Sequence, residues 1–182
     1  MHSYTDIHTH APGRPRSILS IPFAEVERMR SECRLQSYSL QLHPWHLTGN
    51  ADIEAFVSYA RAHRDDPQFV AIGECGLDPL CDVPLPLQHA AFLAALRLAH
   101  ELHKPLVIHC VRLWDQLLAD VRQVLPLPAD RLQLPLIIHG FRKGPQLARQ
   151  LLDAGFSISL GLHYNEATRQ VIPPERLYFE TD

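Results

Sequence analysis

Short apolar runs alternate along the chain with longer stretches in which apolar residues recur at helical spacing. Seven of the runs are typical of β-strands: Tyr4–Ile7, Ser37–Leu42, Phe69–Gly73, Leu106–Ile108, Leu136–Ile138, Phe156–Leu160 and Leu177–Phe179. The helical stretches between them are Asp52–His63, Leu87–Leu102, Leu113–Leu125, Gln146–Ala154 and a short candidate at Glu166–Val171. Repeated strand–helix units predict parallel strands with helices outside them, arranged either as a closed barrel or as an open sheet.

The segment from residue 11 to residue 36 has the weakest pattern. Ile18–Ile21 is a candidate additional strand, and Glu25–Glu32 is compatible with either a helix or a strand. An eight-stranded barrel usually needs about 200 residues or more. This chain has 182 residues and ends at Asp182, directly after the last predicted strand. We therefore expect either an unusually short architecture or one that is incomplete at its C-terminal end.

The composition is that of an ordinary globular protein, and the length fits a single domain over residues 1–182. The net charge of −3, from 17 basic and 20 acidic residues, gives no global preference for nucleic acid, so any contact with a polyanion must be local. The four cysteines form no C-x-x-C pair, and no secretory signal or long apolar span precedes them. We expect reduced thiols in a cytoplasmic protein with no membrane contact and no obligate protein partner.

Metal-binding side chains follow five of the predicted strands. They are His8 and His10 after the first, Glu74, His109 and His139 after the third, fourth and fifth, and Glu180 and Asp182 after the last. The carboxyl ends of parallel strands lie on one side of a sheet or barrel, so these side chains are predicted to share one place. Glu74 lies between Gly73 and Gly76, where a small backbone lets a carboxylate approach a metal closely.

Four histidines (His8, His10, His109, His139) and two carboxylates (Glu74, Asp182) form the predicted ligand set. Such a set suits Zn²⁺, Mn²⁺ or Fe²⁺, and Mg²⁺ can share it. Six ligands exceed what one catalytic ion takes from protein, which favours two ions bridged by Glu74. A two-ion site activates water and stabilises both the attacking and the leaving oxygen of a displacement, so hydrolysis is the expected reaction class.

Neighbouring residues have candidate supporting roles. Asp6 could orient a ligand imidazole, and Glu180 is a candidate for a similar or a structural role. Asp182 is a candidate to help deprotonate the attacking water. Alternation along a strand turns Cys75 and Cys110 away from the ligands beside them, which favours packing over metal binding.

Candidate substrate contacts also follow the strand ends. The set comprises Trp45, Arg112, Arg142 and Lys143, together with Arg14, Arg16 and His46. A basic rim would bind phosphates, although each of these charges taken alone is more typical of a solvated loop. Trp45 could stack on a base or pack under a loop. His43 could donate a proton or hydrogen bond to substrate, or His43-Pro44 could cap its strand.

Five stretches resemble the TatD family of metal-dependent hydrolases: DIHTH at Asp6–His10, LHPWH at Leu42–His46, GECGLD at Gly73–Asp78, PLVIHC at Pro105–Cys110 with IIHGF at Ile137–Phe141, and ETD at Glu180–Asp182. The resemblance implies an α/β fold, a distorted TIM-like (β/α) barrel. It implies that His8, His10 and Asp182 hold one divalent ion, that His109 and His139 hold the other, and that Glu74 bridges them. Lys143 departs from the glycine expected next to the site.

The resemblance also implies activity as a deoxyribonuclease or phosphodiesterase on DNA ends. Together with the ligand set, it leads us to expect two divalent ions (Mg, Mn or Zn) and to take Asp182, Glu74 and His43 as the candidate catalytic residues. The substrate is then DNA or a small phosphoester. A second hypothesis is a TatD-like ester or amide hydrolase on another substrate, such as D-aminoacyl-tRNA. A third is a non-catalytic metal-binding relative.

Overall fold

Eight parallel strands form one sheet whose spatial order follows the sequence from β1 to β8. The structure is a computed structural model, and it describes residues 1, 3–32, 36–125 and 134–182. The strands are β1 (Asp6–Thr9), β2 (Ser17–Pro22), β3 (Tyr38–Leu42), β4 (Phe69–Leu77), β5 (Leu106–Cys110), β6 (Leu136–Ile138), β7 (Ser157–Leu160) and β8 (Leu177–Phe179). All seven predicted strands are present, and the candidate at Ile18–Ile21 is the eighth, within β2.

The helices lie between the strands, as the alternating pattern predicts. They are α1 (Val26–Glu32), α2 (Asn50–Ala62), α3 (Leu85–Leu102), α4 (Trp114–Val124), α5 (Pro145–Asp153) and α6 (Glu166–Arg169). The ambiguous stretch Glu25–Glu32 is helical from Val26 onwards. β1 and β2 are joined without a helix among the described residues, so their connection is a seven-residue loop from 10 to 16. None of the helices in the part of the chain that the structure describes has the length and apolar character needed to cross a membrane.

The sheet closes into a nearly complete barrel with an unsealed seam between β8 and β1. Ladder pairing joins each strand to the next from β1 to β8. Across the seam, the Thr181 N–H donates to the His8 carbonyl at 3.3 Å. The Asp6 carboxylate accepts from the Thr181 hydroxyl at 2.5 Å and from its N–H at 3.3 Å. A side chain of β1 therefore holds the segment that follows β8.

Two apolar layers stabilise the barrel. The larger layer lies between the strands and the helices and includes Leu40, Phe56, Phe92 and Leu106. The smaller layer fills the barrel interior with Ile7, Ile18, Ala71, Val107, Ile137 and Tyr178. Side chains alternate along each strand, so neighbouring residues such as Leu106 and Val107 belong to different layers. The interior layer is the floor beneath the polar side chains at the carboxyl ends of the strands.

Two glycines let β4 run close to β5 where Glu74 is placed. Gly73 and Gly76 both have positive φ, at 107° and 151°. A Cβ atom at Gly73 would overlap the Val107 carbonyl oxygen, and one at Gly76 would overlap that of His109. Only glycine therefore fits at these positions. The predicted strand ended at Gly73, but β4 continues to Leu77. A hydrophobic pattern misses this continuation because Gly and Glu residues interrupt the apolar run although the backbone stays extended.

Candidate metal centre

The structure brings the six predicted ligands together at the carboxyl-terminal mouth of the barrel, around the Glu74 carboxylate. One carboxylate oxygen, Glu74 Oε1, lies 2.7 Å from His139 Nε2 and 2.9 Å from His109 Nδ1. The other, Oε2, lies 3.4 Å from His8 Nε2 and 3.9 Å from His10 Nε2. Glu74 therefore has one oxygen towards each pair of histidines, which is the arrangement a bridging ligand requires.

His8, His10 and Asp182 form the first candidate cluster. The Asp182 Oδ1 atom lies 3.5 Å from Nε2 of both histidines. His8 is fully buried, whereas the side chains of His10 and Asp182 are 50% and 36% exposed. His8 lies on β1 and His10 directly follows it, and the two side chains point to the same side, as strand alternation predicts. This cluster opens towards solvent on the His10 side.

His109 and His139 form the second candidate cluster, and each has a carboxylate on the ring nitrogen that faces away from Glu74. His109 Nε2 lies 3.2 Å from Asp78 Oδ2. His139 Nδ1 lies 3.6 Å from Glu180 Oε1, and the same oxygen accepts from the Gly140 N–H at 2.6 Å. Carboxylates in this position fix the tautomer and orientation of a metal-binding imidazole. The geometry places the side chain of Glu180 in the supporting role suggested by the sequence.

Two further side chains contact Glu74 from β3 and the turn after it. Gln41 Nε2 donates to Glu74 Oε2 at 3.2 Å, and His43 Nε2 lies 3.1 Å from Oε1. His43 Nδ1 accepts from the Trp45 backbone N–H at 3.1 Å, so in a neutral ring Nε2 carries the proton. This tautomer makes His43 a hydrogen-bond donor in the site. The same bond caps the 3-10 turn Pro44–His46, so the two roles suggested for His43 coexist.

The charges of the site support each other. Burial alone would raise the pKa of the Glu74 carboxyl, but the charge of His139 and hydrogen bonds from surrounding imidazoles hold that pKa well below its usual range. Hydrogen bonds from His10 and His8 likewise lower the pKa of Asp182. Burial acts to lower the pKa of His8, yet the nearby carboxylates more than offset it and the pKa is raised. The lowered pKa values of Glu74 and Asp182 favour their ionised forms at neutral pH, and the raised pKa of His8 favours its protonated form.

The donor set fits a divalent metal. Groups of ligand atoms lie within 4.8 Å of one another in His8–His10–Asp182, His8–Glu74–His139, His43–Glu74–His109 and His139–Glu180–Asp182. Both ring nitrogens of His8 are buried and lack a hydrogen-bond partner. Unpartnered buried polar atoms are costly, and a bound cation would satisfy Nε2. Mixed imidazole and carboxylate donors suit Zn²⁺ or Mn²⁺ and are compatible with Mg²⁺.

Two clefts open from these ligands to the surface. One, of about 280 Å³, is lined by Trp45, His46 and Gln41 as well as by ligand residues. The other, of about 360 Å³, is lined by Arg112, Arg142 and Lys143 together with apolar residues and three of the ligands. These three cations are exposed and form no ion pair among the described residues. Trp45, His46, Arg112, Arg142 and Lys143 thus lie beside the ligand cluster, as the strand-end argument expects.

Other predictions need correction or can now be resolved. Asp6 does not contact an imidazole among the described residues. Its carboxylate accepts from the His8 N–H at 3.2 Å and from Thr181, so its role is in the seam. Arg16 does not lie on the site face: it directly precedes β2 and donates to the Ser3 carbonyl at 3.1 Å. The loop from β1 has returned to the opposite end of the barrel by that point.

The exposure of Trp45 and the burial of Cys75 and Cys110 bear on the alternatives suggested for them. Trp45 is 59% exposed and is not packed under a loop. Cys75 is fully buried in the outer apolar layer, and Cys110 packs against that layer. Neither cysteine belongs to a candidate metal cluster in the described part of the chain. Cys33 lies outside the described residues.

Sequence reasoning gave no role to Gln41 or Asp78, although both contact the site. Gln41 lies two residues before His43 on β3, and strand alternation could have placed it towards the barrel interior. Asp78 follows β4 within the GECGLD stretch. Its partner Trp45 lies in the turn after β3, and its partner His109 lies on β5. Those contacts depend on the neighbours of β4 in the sheet, which a local pattern does not specify.

Comparisons with known proteins point to one family. The family described as TatD related DNase matches residues 23–182. A 3′-5′ ssDNA/RNA exonuclease TatD from Klebsiella pneumoniae is 36% identical over 140 residues, covering 71% of this chain and 49% of that protein. A human 3′-5′ RNA nuclease, TATDN2, is 38% identical over 64% of this chain and 16% of its own length. The chain thus spans about half the length of the bacterial relative.

Solved structures show the same fold. The crystal structure of a TatD homologue from Escherichia coli, YJJV, superposes with a TM-score of 0.77 over 99% of this chain and 79% of that one, at 24% identity. A TatD family hydrolase from Entamoeba histolytica gives a TM-score of 0.71 over 99% of this chain and 73% of that one, at 17% identity. The match over residues 23–182 covers most of the sequence and includes four of the six predicted ligands; of the remaining two, His8 lies on β1 and His10 directly follows it. The chain therefore belongs to the TatD family of metal-dependent hydrolases.

Proposed function

We propose that this chain hydrolyses phosphodiester bonds at the ends of single-stranded nucleic acid with the help of two divalent metal ions. The observation that carries the proposal is the Glu74 carboxylate, which has one oxygen within 2.9 Å of His109 and His139 and the other facing His8 and His10. The names of the relatives as exonucleases and nucleases on ssDNA or RNA support this substrate class.

The proposed ligands divide into two groups that share Glu74. His8, His10 and Asp182 would hold one ion, and His109 and His139 would hold the other. Ions bound in this way lower the pKa of water and neutralise charge on both oxygens of a displacement at phosphorus. The oppositely placed oxygens of Glu74 set the separation of the two groups.

The protein's own residues would then bind and orient the substrate. Asp182 is partly exposed at the cleft and ionised, so it can accept a proton from the attacking water. His43 Nε2–H faces Glu74 Oε1 at 3.1 Å beside the same cleft, and it would donate a hydrogen bond to a phosphate oxygen when Oε1 binds a metal ion. Burial lowers the pKa of His43, which keeps the ring neutral.

Substrate contacts follow from the two clefts. Arg112, Arg142 and Lys143 would bind backbone phosphates in the cleft of about 360 Å³. Trp45, which is exposed in the other cleft, would stack on a base. Together they provide the local positive charge and aromatic surface that single-strand binding requires, on a chain whose net charge is −3.

The test uses Glu74→Gln, which keeps the shape of the side chain and removes its charge. We expect loss of metal-stimulated cleavage of a 3′-tailed oligonucleotide by at least 10³-fold, on the order of the loss of one key electrostatic group. Glu54→Gln, on the exposed face of α2, is the matched control and should retain full activity. Unchanged turnover in the Glu74 variant would exclude the bridging role.

The same assay separates the other hypotheses. D-aminoacyl-tRNA and simple phosphodiesters are tested beside the oligonucleotide with Mg²⁺, Mn²⁺ and Zn²⁺. Cleavage of an ester or amide in preference to the oligonucleotide would replace the nuclease proposal with a hydrolase on another substrate. Stoichiometric metal uptake in calorimetry with no turnover on any substrate would identify a non-catalytic metal-binding relative.

A further inference from the structure

Asp78 is a buried carboxylate that the proposed reaction does not use. It is 2% exposed and directly follows β4, four residues after Glu74. Its Oδ1 atom accepts from the Leu80 N–H at 2.9 Å and so closes a local turn. Its Oδ2 atom has two quite different partners, from separate parts of the barrel.

One partner of Oδ2 is the metal-centre histidine His109. The His109 Nε2 atom lies 3.2 Å from Asp78 Oδ2, while Nδ1 of the same ring faces Glu74 at 2.9 Å. A carboxylate on Nε2 places the proton there and leaves the Nδ1 lone pair free for a metal. Asp78 is therefore positioned to set the tautomer of His109.

The other partner is the indole of Trp45. Trp45 Nε1 donates to Asp78 Oδ2 at 2.7 Å, although 59% of the Trp45 surface is exposed. An exposed aromatic ring would otherwise change rotamer freely, and a charge-assisted hydrogen bond restricts that motion. The ring stands edge-on to the His109 ring, with centroids 6.2 Å apart.

These two bonds are not needed to hold the loop that contains Asp78. Gln88 clamps its backbone independently: the Asp78 N–H donates to Gln88 Oε1 at 2.7 Å, and Gln88 Nε2 donates to the Asp78 carbonyl at 2.9 Å. The Leu80 contact uses the other carboxylate oxygen. The bonds of Oδ2 are therefore not required for the local turn, and their effect is to orient the side chains of Trp45 and His109.

We propose that Asp78 is a positioning residue that links the metal centre to the substrate-stacking surface, by holding His109 in its metal-binding tautomer and the Trp45 indole against the cleft through one shared oxygen. The link to substrate rests on the proposed function, whereas the link to metal does not. Nucleic-acid binding would then require the Asp78 carboxylate as well as the metal ions, since both the Trp45 ring that stacks on a base and the metal ligand His109 depend on it.

The test compares Asp78→Asn with Glu180→Gln. In D78N the amide oxygen can still accept from Leu80, while the NH₂ group meets two donors at the Oδ2 position and breaks both bonds. Glu180 is a matched control because it is buried and supports a metal-centre histidine, His139, but does not contact Trp45. Both variants are made in a Trp114→Phe background, which leaves Trp45 as the single tryptophan.

The readouts are Mn²⁺ affinity by calorimetry, fluorescence anisotropy of Trp45, and KM for a 3′-tailed single-stranded oligonucleotide. We expect each variant to lose about 10- to 100-fold in Mn²⁺ affinity. Only D78N should lower the anisotropy of Trp45. D78N with unchanged anisotropy, or with unchanged Mn²⁺ affinity, would overturn the link, as would an equal loss of anisotropy in E180Q.

Trp45→Phe provides a second test if D78N does not fold. It keeps an aromatic ring but removes the N–H that anchors it, so KM should rise by about 10-fold, as for loss of a hydrogen bond to a charged group, with Mn²⁺ affinity within about twofold of the parent. An unchanged KM would contradict the anchoring role. If the parent protein cleaves no oligonucleotide, the proposed function fails, and the anisotropy and affinity measurements still decide the link.

Discussion

The seam between β8 and β1 gives a stability prediction that can be worked out from individual hydrogen bonds. Asp6→Ala removes the carboxylate that accepts from the His8 N–H at 3.2 Å and from the Thr181 hydroxyl at 2.5 Å. The Thr181 N–H keeps a second acceptor in the His8 carbonyl, and the hydroxyl can turn towards Thr9 Oγ1, 3.2 Å away. The His8 N–H loses its Asp6 acceptor, and His8 is fully buried.

The expected loss follows from these contacts. An unsatisfied buried N–H costs about 1–3 kcal/mol, and a hydrogen bond to a charged group contributes about 1.5–3 kcal/mol. With partial rescue of the hydroxyl, we expect the free energy of unfolding to fall by about 3 kcal/mol. For a chain of this size, that loss lowers Tm by about 6–12 °C.

Thermal and urea denaturation of the metal-free protein measure this effect, and Thr181→Val is the matched control. T181V removes the hydroxyl that donates to Asp6 and accepts from Arg14 on the surface. It should cost about 1.5 kcal/mol, the lower end for a hydrogen bond to a charged group. The seam also positions His8 and the neighbour of Asp182, so D6A should weaken Mn²⁺ binding more than T181V does. A D6A protein within 0.5 kcal/mol of the parent would refute the assignment of Asp6 to the seam.

Two further predictions concern the metal and β4. Removing bound metal with a chelator should lower Tm by an amount that depends on the metal concentration, since an ion at 100 times its Kd adds about 2.7 kcal/mol of stability. Glu74→Gln should reduce this shift. A parent protein with the same Tm with and without metal would contradict a preformed site. Gly76→Ala should lower the yield of folded protein or Tm sharply, because its Cβ would overlap the His109 carbonyl, whereas Gly144→Ala, with open space around its Cβ position, should change Tm by less than about 2 °C. Equal Tm values for the two alanine variants would show that β4 can move away from β5.

Much of the barrel could be predicted from the sequence because its strands are short, apolar and buried. Leu136–Ile138 and Leu177–Phe179 have the predicted bounds. The first strand is displaced, from Tyr4–Ile7 to Asp6–Thr9, because His8 and Thr9 are polar residues buried at the barrel mouth. A hydrophobic pattern assigns such residues to a loop, although they continue the strand.

The ligand cluster was predictable for a topological reason. Parallel strands direct all their carboxyl ends to one side, so His109 and His139 meet although 30 positions separate them in sequence. The supporting contacts were not predictable in this way. Asp78 meets Trp45 and His109 only because β3, β4 and β5 are neighbours. Arg16 lies away from the site because it directly precedes β2, at the amino end of that strand.

The charge of the site explains how an acidic chain could bind a polyanion. Four carboxylates lie at the barrel mouth (Glu74, Asp78, Glu180 and Asp182), and each has a pKa below its usual value. Their four negative charges would repel a phosphate, whereas the two proposed divalent ions would bring four positive charges and would cancel them. Arg112, Arg142 and Lys143 then leave the neighbouring cleft net positive. Metal binding is therefore expected to precede oligonucleotide binding, and the oligonucleotide affinity measured by fluorescence polarisation in a chelator should be far weaker than in Mn²⁺.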